Sequence, residues 1–331
     1  RVKSGVDINA QTRKETTALM RAVLHDPASL PALLDSDGAD LDARDSNGLT
    51  ALIIAAYEVN AHAVKLLLDA GARWEPRHPA EINAFVEICS GEYDSYFFYE
   101  DDDDQEDSMA RPTGENINVS DEDVVEVIEL LIAAKADINQ RLPGYYTPLV
   151  STAKRPEVLR VLLKAGADVD GRGGDGETAL IAAAMQDARE SVELLLDAKA
   201  DVDAMDFDHE TALKQAVERG YIETARLLVA AGAQVELGYS ERSSPLRTRL
   251  HSPEMVRLLL EGTADVRKII KYDTTPLEEA VRYNNLDILT LLVDAGLDLS
   301  QSTALAATLL NSAVSRGNAD MLRLLIEAKA F

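Results

Sequence analysis

Basic residues, cysteine and long apolar runs are scarce in this 331-residue chain, and each scarcity excludes a class of protein. Thirty-three Lys and Arg stand against 58 Asp and Glu, so the formal net charge is −25. That charge argues against direct binding to nucleic-acid phosphates or to anionic membrane surfaces. A single cysteine, Cys89, excludes an internal disulfide framework and a Cys-rich zinc site. With no apolar run of about 18 residues and no signal peptide, we expect an intracellular protein, cytoplasmic or nuclear.

A Thr-x-Leu motif recurs along the chain. Its copies begin at Thr17, Thr50, Thr147, Thr178, Thr211, Ser244, Thr275 and Thr308. Successive spacings are 33, 97, 31, 33, 33, 31 and 33 residues. A diverged copy at Asn83 lies 33 residues after Thr50, which leaves this unit with about 31 extra residues. A fixed period of this length is typical of a repeat architecture.

A second motif follows each first one, an apolar helix that ends in a small-residue turn, as in residues 66–72, 161–170 and 227–233. The pair resembles the ankyrin repeat, a turn followed by two antiparallel helices over about 33 residues. The resemblance covers nearly the whole chain, in nine units with the tail of a tenth at residues 5–10. It implies an all-α fold, an ankyrin-repeat solenoid of stacked helix-turn-helix units with short hairpin-like turns. One domain is expected over residues 1–331, with flanking sequence missing at both ends.

Several positions depart from the family's pattern. The family usually has a His after Thr-Pro-Leu that bonds the neighbouring loop, and no repeat here carries it. Lys135, Lys199 and Lys329 replace the Gly that ends the second helix, at about 1 kcal/mol each if the turn stays left-handed. Repeats four and seven are two residues short, which predicts a shortened first helix.

Residues 91–120 form an acidic, aromatic-rich insertion between the two helices of repeat three. Ten acids accompany one base, so the segment carries 1 − 10 = −9. The residues of interest are Tyr96, Phe97, Phe98, Tyr99, Asp101, Asp102, Asp103 and Asp104. One interpretation is a solvated surface loop. The other is an arm that clamps a basic partner, in which the aromatics supply contact area and cation–π acceptors while the Asp run steers the encounter.

Motifs that suggest cofactor binding, metal binding or catalysis lack the surrounding sequence that those functions need. Residues 171–176 spell G-x-G-x-x-G, but they follow a helix and span an inter-repeat turn, whereas a dinucleotide site follows a strand. The five histidines are scattered, His209 being expected in a turn, and Cys89 falls at a buried helix position that predicts an inert thiol. We therefore predict no catalytic residues, no cofactor and no metal site.

The resemblance implies that turn tips and the inner face of the first helices line a concave binding surface. The aromatic and apolar residues at such positions are Tyr57, Tyr145, Tyr146, Met185, Phe207, Tyr239, Tyr272 and Tyr283. The acids beside them are Asp208, Glu210 and Glu218. Trp74 replaces the family's Val after a turn and is expected to pack against the insertion, a partner contact being the second choice.

The predicted function is a non-enzymatic, monomeric protein-interaction scaffold that binds a basic protein or peptide through its concave face and acidic insertion. Direct nucleic-acid and membrane binding are not expected. A first alternative is a dedicated chaperone or inhibitor of a strongly basic protein, such as a histone, a ribosomal protein or a nuclease. A second is a regulatory or targeting segment of a larger enzyme.

Overall fold

The computed structural model describes residues 7–36, 38–75, 79–91, 120–140, 146–235, 252–262, 275–301 and 303–328. Backbone contacts divide the chain into two compact units, Arg1–Gly174 and Asp175–Phe331. Regular structure in the described residues is helical, apart from an isolated antiparallel bridge between Met205 and Thr211. No described helix combines the length and the apolarity that a membrane span requires.

The first unit is built from two layers of helices. Its α-helices are α1 (Ala18–His25), α2 (Leu30–Leu34), α3 (Ala51–Tyr57), α4 (Ala61–Asp69), α5 (Pro79–Ser90), α6 (Asp121–Ala133), α7 (Pro148–Ser151) and α8 (Pro156–Lys164), with a 3-10 turn at Pro27–Ser29. The first helices of successive repeats pack in the order α1, α3, α5, α7, and the second helices in the order α2, α4, α6, α8.

The second unit repeats this arrangement. Its α-helices are α9 (Ala179–Met185), α10 (Arg189–Asp197), α11 (Ala212–Arg219), α12 (Ile222–Ala230), α13 (Pro253–Glu261), α14 (Thr275–Arg282), α15 (Leu286–Asp294), α16 (Thr303–Ser315) and α17 (Ala319–Glu327), with a 3-10 turn at Leu299–Gln301. The first helix α9 packs on α11 and α14 packs on α16, while the second helices pack in the order α10, α12, α13, α15, α17.

Burial differs between the two layers because the first helices have neighbours on more sides. Every residue of α3 is buried, and so are six of the seven residues of α9. Both helices are rich in Ala, whose small side chain lets helices on several sides approach closely. The second helix α4 buries only a stripe, Ala63, Val64 and Leu67, and leaves its other face in solvent.

The Thr of the repeating motif begins the first helix of its repeat. In five repeats its backbone is extended and its hydroxyl accepts a hydrogen bond from the amide three residues on, the residues being Thr17, Thr50, Thr147, Thr178 and Thr211. This N-cap satisfies one of the amides that a helix leaves without a partner. The last motif copy, at Thr308, does not begin a helix. The helix α16 already begins at Thr303, and Thr308 lies inside it, where its hydroxyl donates to the Ala304 carbonyl at 3.0 Å.

Left-handed residues end the second helices, as the repeat pattern predicts. Gly232 has φ +93° after α12, and the substituted positions Lys135 and Lys199 keep φ +68° and +69°. The strain expected of these two lysines is therefore present. Lys329 lies outside the described residues.

The shortened repeat four is confirmed, since α7 has four residues and Pro156 already begins α8. Repeat seven's first helix lies outside the described residues. In repeat three, α5 ends at Ser90 and Ser120 caps α6 by accepting from the Asp123 amide at 3.2 Å. These two helices bracket the predicted insertion, of which residues 92–119 lie outside the described part of the chain.

Side chains at three of the inter-repeat turns join neighbouring repeats. The Asn139 Oδ1 accepts from the Asp168 amide, and the Asp203 Oδ1 accepts from the Gln234 amide, both at 2.8 Å. Asp42 likewise accepts from the Arg73 amide at 3.1 Å. These bonds supply a regular link between neighbouring turns although the family's usual His is missing.

Candidate protein-binding surface

A buried aspartate, Asp45, shapes the turn tip that precedes α3. Asp45 Oδ1 accepts from the Asn47 amide at 2.9 Å and from the Leu49 amide at 2.8 Å. Gly48 then takes φ +79°, and the chain enters α3 at its Thr50 cap. Burial raises the pKa of the Asp45 carboxyl, against the lowering effect of the two amides. The side chain thus acts as a fixed acceptor inside the turn.

The tip before α11 has the same construction in the second unit. Asp206 Oδ1 accepts from the Asp208 amide at 2.9 Å and from the Glu210 amide at 2.8 Å. His209 occupies the position of Gly48 and adopts φ +61°, which confirms its expected place in a turn. We call residues 206–210 the acidic tip.

The most exposed large apolar side chain of the described residues, Phe207, projects from the acidic tip with 69% of its surface accessible. Its amide donates to the Asp175 carbonyl at 3.0 Å, which ties the acidic tip to the preceding one. Its ring lies against Gly176, where an added Cβ would approach the ring Cδ1 to 2.6 Å. Part of the Phe207 ring is therefore covered by Gly176, and the rest of the ring is open to solvent.

A buried lysine joins the acidic tip to α11. Lys214 is 6% exposed at its side chain, and its Nζ contacts the Glu210 carboxylate and lies 3.6 Å from Glu218 Oε1. Burial raises the pKa of Glu210, although Lys214 lowers it. Glu210 therefore anchors Lys214, while Glu218 remains exposed on α11.

Other predicted contact residues differ in accessibility. Tyr146 is 50% exposed immediately before the Thr147 cap of α7, and Tyr283 is 62% exposed just after α14. Met185, at the end of α9, is half-buried, and Asp208 is exposed. Phe207, Asp208 and Glu210 share the acidic tip, with Glu218 reached through Lys214.

Tyr57 corrects the prediction of an accessible side chain. It is the last residue of α3 and is only 6% exposed, because α3 is surrounded by other helices. Burial, with the nearby Glu87 carboxylate and its hydrogen bond, raises the pKa of the Tyr57 hydroxyl. Tyr57 therefore belongs to the core.

Several predicted contact residues lie outside the described part of the chain. They are Tyr96, Phe97, Phe98, Tyr99, Asp101, Asp102, Asp103, Asp104, Tyr145, Tyr239 and Tyr272. Their role in binding stays a prediction.

Trp74 is buried against the ends of two second helices. It lines a cavity of about 1090 Å³ with Leu68 and Asp69 from α4, and with Leu130 and Ala133 from α6. This location explains why a large apolar side chain is accepted after the turn. Its predicted contact with the insertion involves residues outside the described part of the chain.

Arg155 was not identified from the sequence, yet it holds the two helices that flank the insertion. Its Nη1 donates to the Ile88 carbonyl of α5 at 3.2 Å, and its Nε donates to Asp121 Oδ1 of α6 at 2.9 Å. The nearby Cys89 is buried, and burial raises the pKa of its thiol, as an inert core position requires. The signal that could have revealed Arg155 is a base directly before Pro156, at the start of a helix.

Within the described residues, no group of three or more His, Cys, Asp or Glu is arranged to hold a metal ion. Two carboxylates of the acidic tip have partners in the protein, since Asp206 accepts backbone amides and Glu210 binds Lys214. This arrangement presents the Phe207 ring, held in one position, beside acidic residues.

Comparison with known proteins identifies the repeats. The family model for ankyrin repeats in three copies matches residues 2–78, 117–206 and 172–239. No curated protein sequence matches the chain significantly. The predicted all-α ankyrin-repeat fold is confirmed by this family match and by solved structures.

Two such structures are ankyrin-repeat domains. The human ASB11 ankyrin repeat domain is 25% identical, with a TM-score of 0.52, and the match covers 70% of this chain and 89% of that one. The ankyrin repeat domain of Bcl-3, a member of the IkappaB family, is 23% identical with a TM-score of 0.56, and covers 74% of this chain and 98% of its own.

Proposed function

This chain belongs to the ankyrin-repeat family, and on that premise we propose that it is a non-enzymatic interaction domain for a basic protein or peptide. Ankyrin repeats are modules that bind other proteins. The basic character of the partner is our inference from charge and from the exposed aromatics. The partner would contact the turn tips and first-helix ends, together with the acidic insertion.

The observation that carries the proposal is the exposure of Phe207 on an ordered acidic tip. A phenylalanine that is 69% accessible buries little apolar surface in the free protein and would gain by being covered. Aromatic residues are enriched among the side chains that anchor protein interfaces. Acids around such an anchor favour a partner of opposite charge.

The overall charge supports the same partner class. A net charge of −25 attracts basic proteins over a distance that salt limits to about 8 Å at physiological ionic strength. The insertion concentrates that charge, with Asp101, Asp102, Asp103 and Asp104 in one run. We propose that the run accelerates association and that aromatic anchors slow dissociation.

Affinity capture followed by kinetics tests this function. The full chain, and a variant with residues 92–119 replaced by a short Gly-Ser linker, are immobilised and exposed to lysate, and retained proteins are identified by mass spectrometry. Purified candidates are then measured by surface plasmon resonance at two salt concentrations. A partner of acidic or neutral charge whose binding is insensitive to salt would contradict the proposal.

The kinetic contributions are separable with matched variants. Changing Asp101, Asp102, Asp103 and Asp104 to Asn should lower the association rate with little effect on dissociation. Phe207→Ala should raise the dissociation rate, at a cost of about 1–3 kcal/mol in binding free energy. A control changes four exposed acids of second helices to Gln, namely Glu122, Glu126, Glu129 and Glu193. An association rate lowered equally by the control would assign steering to the total charge rather than to the insertion.

A further inference from the structure

The acidic tip carries a more specific feature than general negative charge. Two of its acids already have partners within the protein, since Asp206 accepts two backbone amides and Glu210 binds Lys214 of α11. Asp208 and Asp175 are both exposed, and neither has a cationic partner among the described residues. The open negative charge is therefore located on the residue after Phe207 and on the residue whose carbonyl receives the Phe207 amide.

The orientation of Phe207 is set by contacts with the preceding tip. The hydrogen bond to Asp175 fixes its backbone, and the contact with Gly176 covers one side of its ring. Gly176 adopts φ +81° and is buried, so a larger residue there would be strained and would displace the ring. The remaining surface of the ring is presented to solvent in a preorganised position, and preorganisation lowers the cost of binding.

We propose that Phe207, Asp175 and Asp208 form a subsite for an arginine side chain of the partner. This inference rests on the proposed function and names the chemistry that its basic partner would present. A planar guanidinium stacks on an aromatic face and keeps its N–H donors in the plane, which leaves them free to pair with the carboxylates of Asp208, the next residue, and of Asp175, whose carbonyl accepts from the Phe207 amide. One arginine side chain would thus stack on the Phe207 ring and pair with the carboxylates at the same time.

Other side chains use this surface less completely. A purely apolar side chain would cover the ring but would also remove water from the two carboxylates without supplying a donor. Lysine carries a compact charge that pairs with a carboxylate, but it lacks the flat face that stacks on a ring. The subsite therefore discriminates arginine from lysine at equal charge.

The test compares three synthetic probes by isothermal titration calorimetry with the full chain at low salt. The peptides alternate Gly with four Arg, four Lys or four citrulline residues, citrulline being the neutral analogue of arginine. We expect the Arg peptide to bind about 3- to 10-fold more tightly than the Lys peptide, and the citrulline peptide to bind most weakly.

Substitutions assign that preference to the tip. Phe207→Leu keeps an apolar side chain but removes the ring, and should bring the Arg-to-Lys affinity ratio close to one. Phe207→Trp should preserve or increase the ratio. Val314→Ala, a loss of another exposed apolar side chain in the same unit, should leave it unchanged. Asp175→Asn with Asp208→Asn should weaken both charged peptides, and the Arg peptide more.

The outcomes separate this inference from the proposed function. Equal binding of Arg and Lys peptides, or a ratio that survives Phe207→Leu, overturns the arginine subsite and leaves a basic partner in place. Citrulline binding as tight as arginine also overturns the subsite, because charge would then be irrelevant. If neither charged peptide binds and capture yields no basic protein, both proposals fail.

Discussion

Asp45 illustrates, at the scale of the residue, how one buried carboxylate can define a turn. Its Oδ1 accepts from the amides of Asn47 and Leu49, and burial raises its pKa above the ordinary value of 3.8. The folded state therefore retains the Asp45 proton over an acidic interval in which the unfolded chain has lost it. By linkage, this residue's contribution to the free energy of unfolding decreases as the pH rises through that interval.

Two substitutions of Asp45 separate its hydrogen bonds from its charge. Asp45→Ala removes the acceptor and should lower the free energy of unfolding by about 1–3 kcal/mol. Asp45→Asn keeps an acceptor oxygen without a buried charge, so it should be far less damaging and should abolish the acidic pH dependence of this residue. Urea unfolding followed by circular dichroism between pH 4 and 7 measures both effects. Equal losses for Ala and Asn would mean that the negative charge itself stabilises the turn.

Lys214 shows the converse case, a buried cation that compensates neighbouring acids. Lys214→Met should lower the free energy of unfolding by about 1–3 kcal/mol, because Glu210 and Glu218 lose their shared cation. The pKa of Glu210 is already raised by burial and should rise further. The loss should therefore be smaller near pH 5 than at pH 7, where the variant must keep Glu210 charged. Lys164→Met, at an exposed position of α8, is the control and should change stability by less than about 0.5 kcal/mol.

At the scale of the element, the pair of helices α5 and α6 is held together by contacts of Arg155 that do not require the insertion. Arg155 links the last turn of α5 to the first residue of α6. Replacing residues 92–119 with a Gly-Ser linker of about six residues should therefore preserve the helical content, since shortening a surface loop changes closure entropy only modestly. Circular dichroism and thermal unfolding test this. An unfolded deletion variant would instead indicate that the insertion is structural.

Arg155→Ala provides the complementary test. It removes the clamp and leaves Asp121 without its partner, so the midpoint of thermal unfolding should fall. The effect should be larger in the linker variant than in the full chain, if the insertion contributes any contact of its own between α5 and α6. Arg160→Ala, an exposed base of α8, is the control for loss of a guanidinium.

Features that depend on a few neighbouring residues could be predicted from the sequence, whereas features that depend on contacts between distant parts of the chain could not. The Thr caps of α3 and α9 and the left-handed residues after α6 and α10 depend on a few neighbouring residues, and they appear where the motifs place them. The burial of Tyr57 depends on how many helices surround α3, which no single repeat reveals. Arg155 bonds to two residues that lie 67 and 34 positions before it in the chain, so its role could be recognised only from the folded structure.

For the candidate surface the same division holds. The exposure of Phe207 and the turn conformation of His209 follow from repeat phase, because the tips before α3 and α11 have the same construction. The support of Phe207 by Gly176 comes from the preceding repeat, 31 residues away, and could not be read from either repeat alone. The involvement of Lys214 was likewise hidden, since a lysine within a helix is usually solvated.

At the scale of the whole molecule, a formal charge of −25 acts on folding as well as on binding. Like charges repel more strongly in the compact state than in the expanded chain, so charge of one sign lowers stability. Salt should reduce this effect within a screening length of about 8–30 Å over the range from physiological to 0.01 M ionic strength. The midpoint of thermal unfolding at pH 7 should accordingly rise with NaCl, by about 2–4 °C for each kcal/mol recovered in a unit of this size.

Two variants of equal charge decide whether the repulsion is global or confined to the insertion. Changing Asp101, Asp102, Asp103 and Asp104 to Asn gives −25 + 4 = −21, and so does changing Glu122, Glu126, Glu129 and Glu193 to Gln. If total charge is responsible, both variants should raise the low-salt midpoint and reduce its dependence on salt to the same extent. If crowding of charge in the insertion is responsible, only the Asn variant should do so. A midpoint that is independent of salt in the unmodified chain would contradict both, and would mean that the carboxylates are already compensated by local contacts such as those of Lys214 and Arg155.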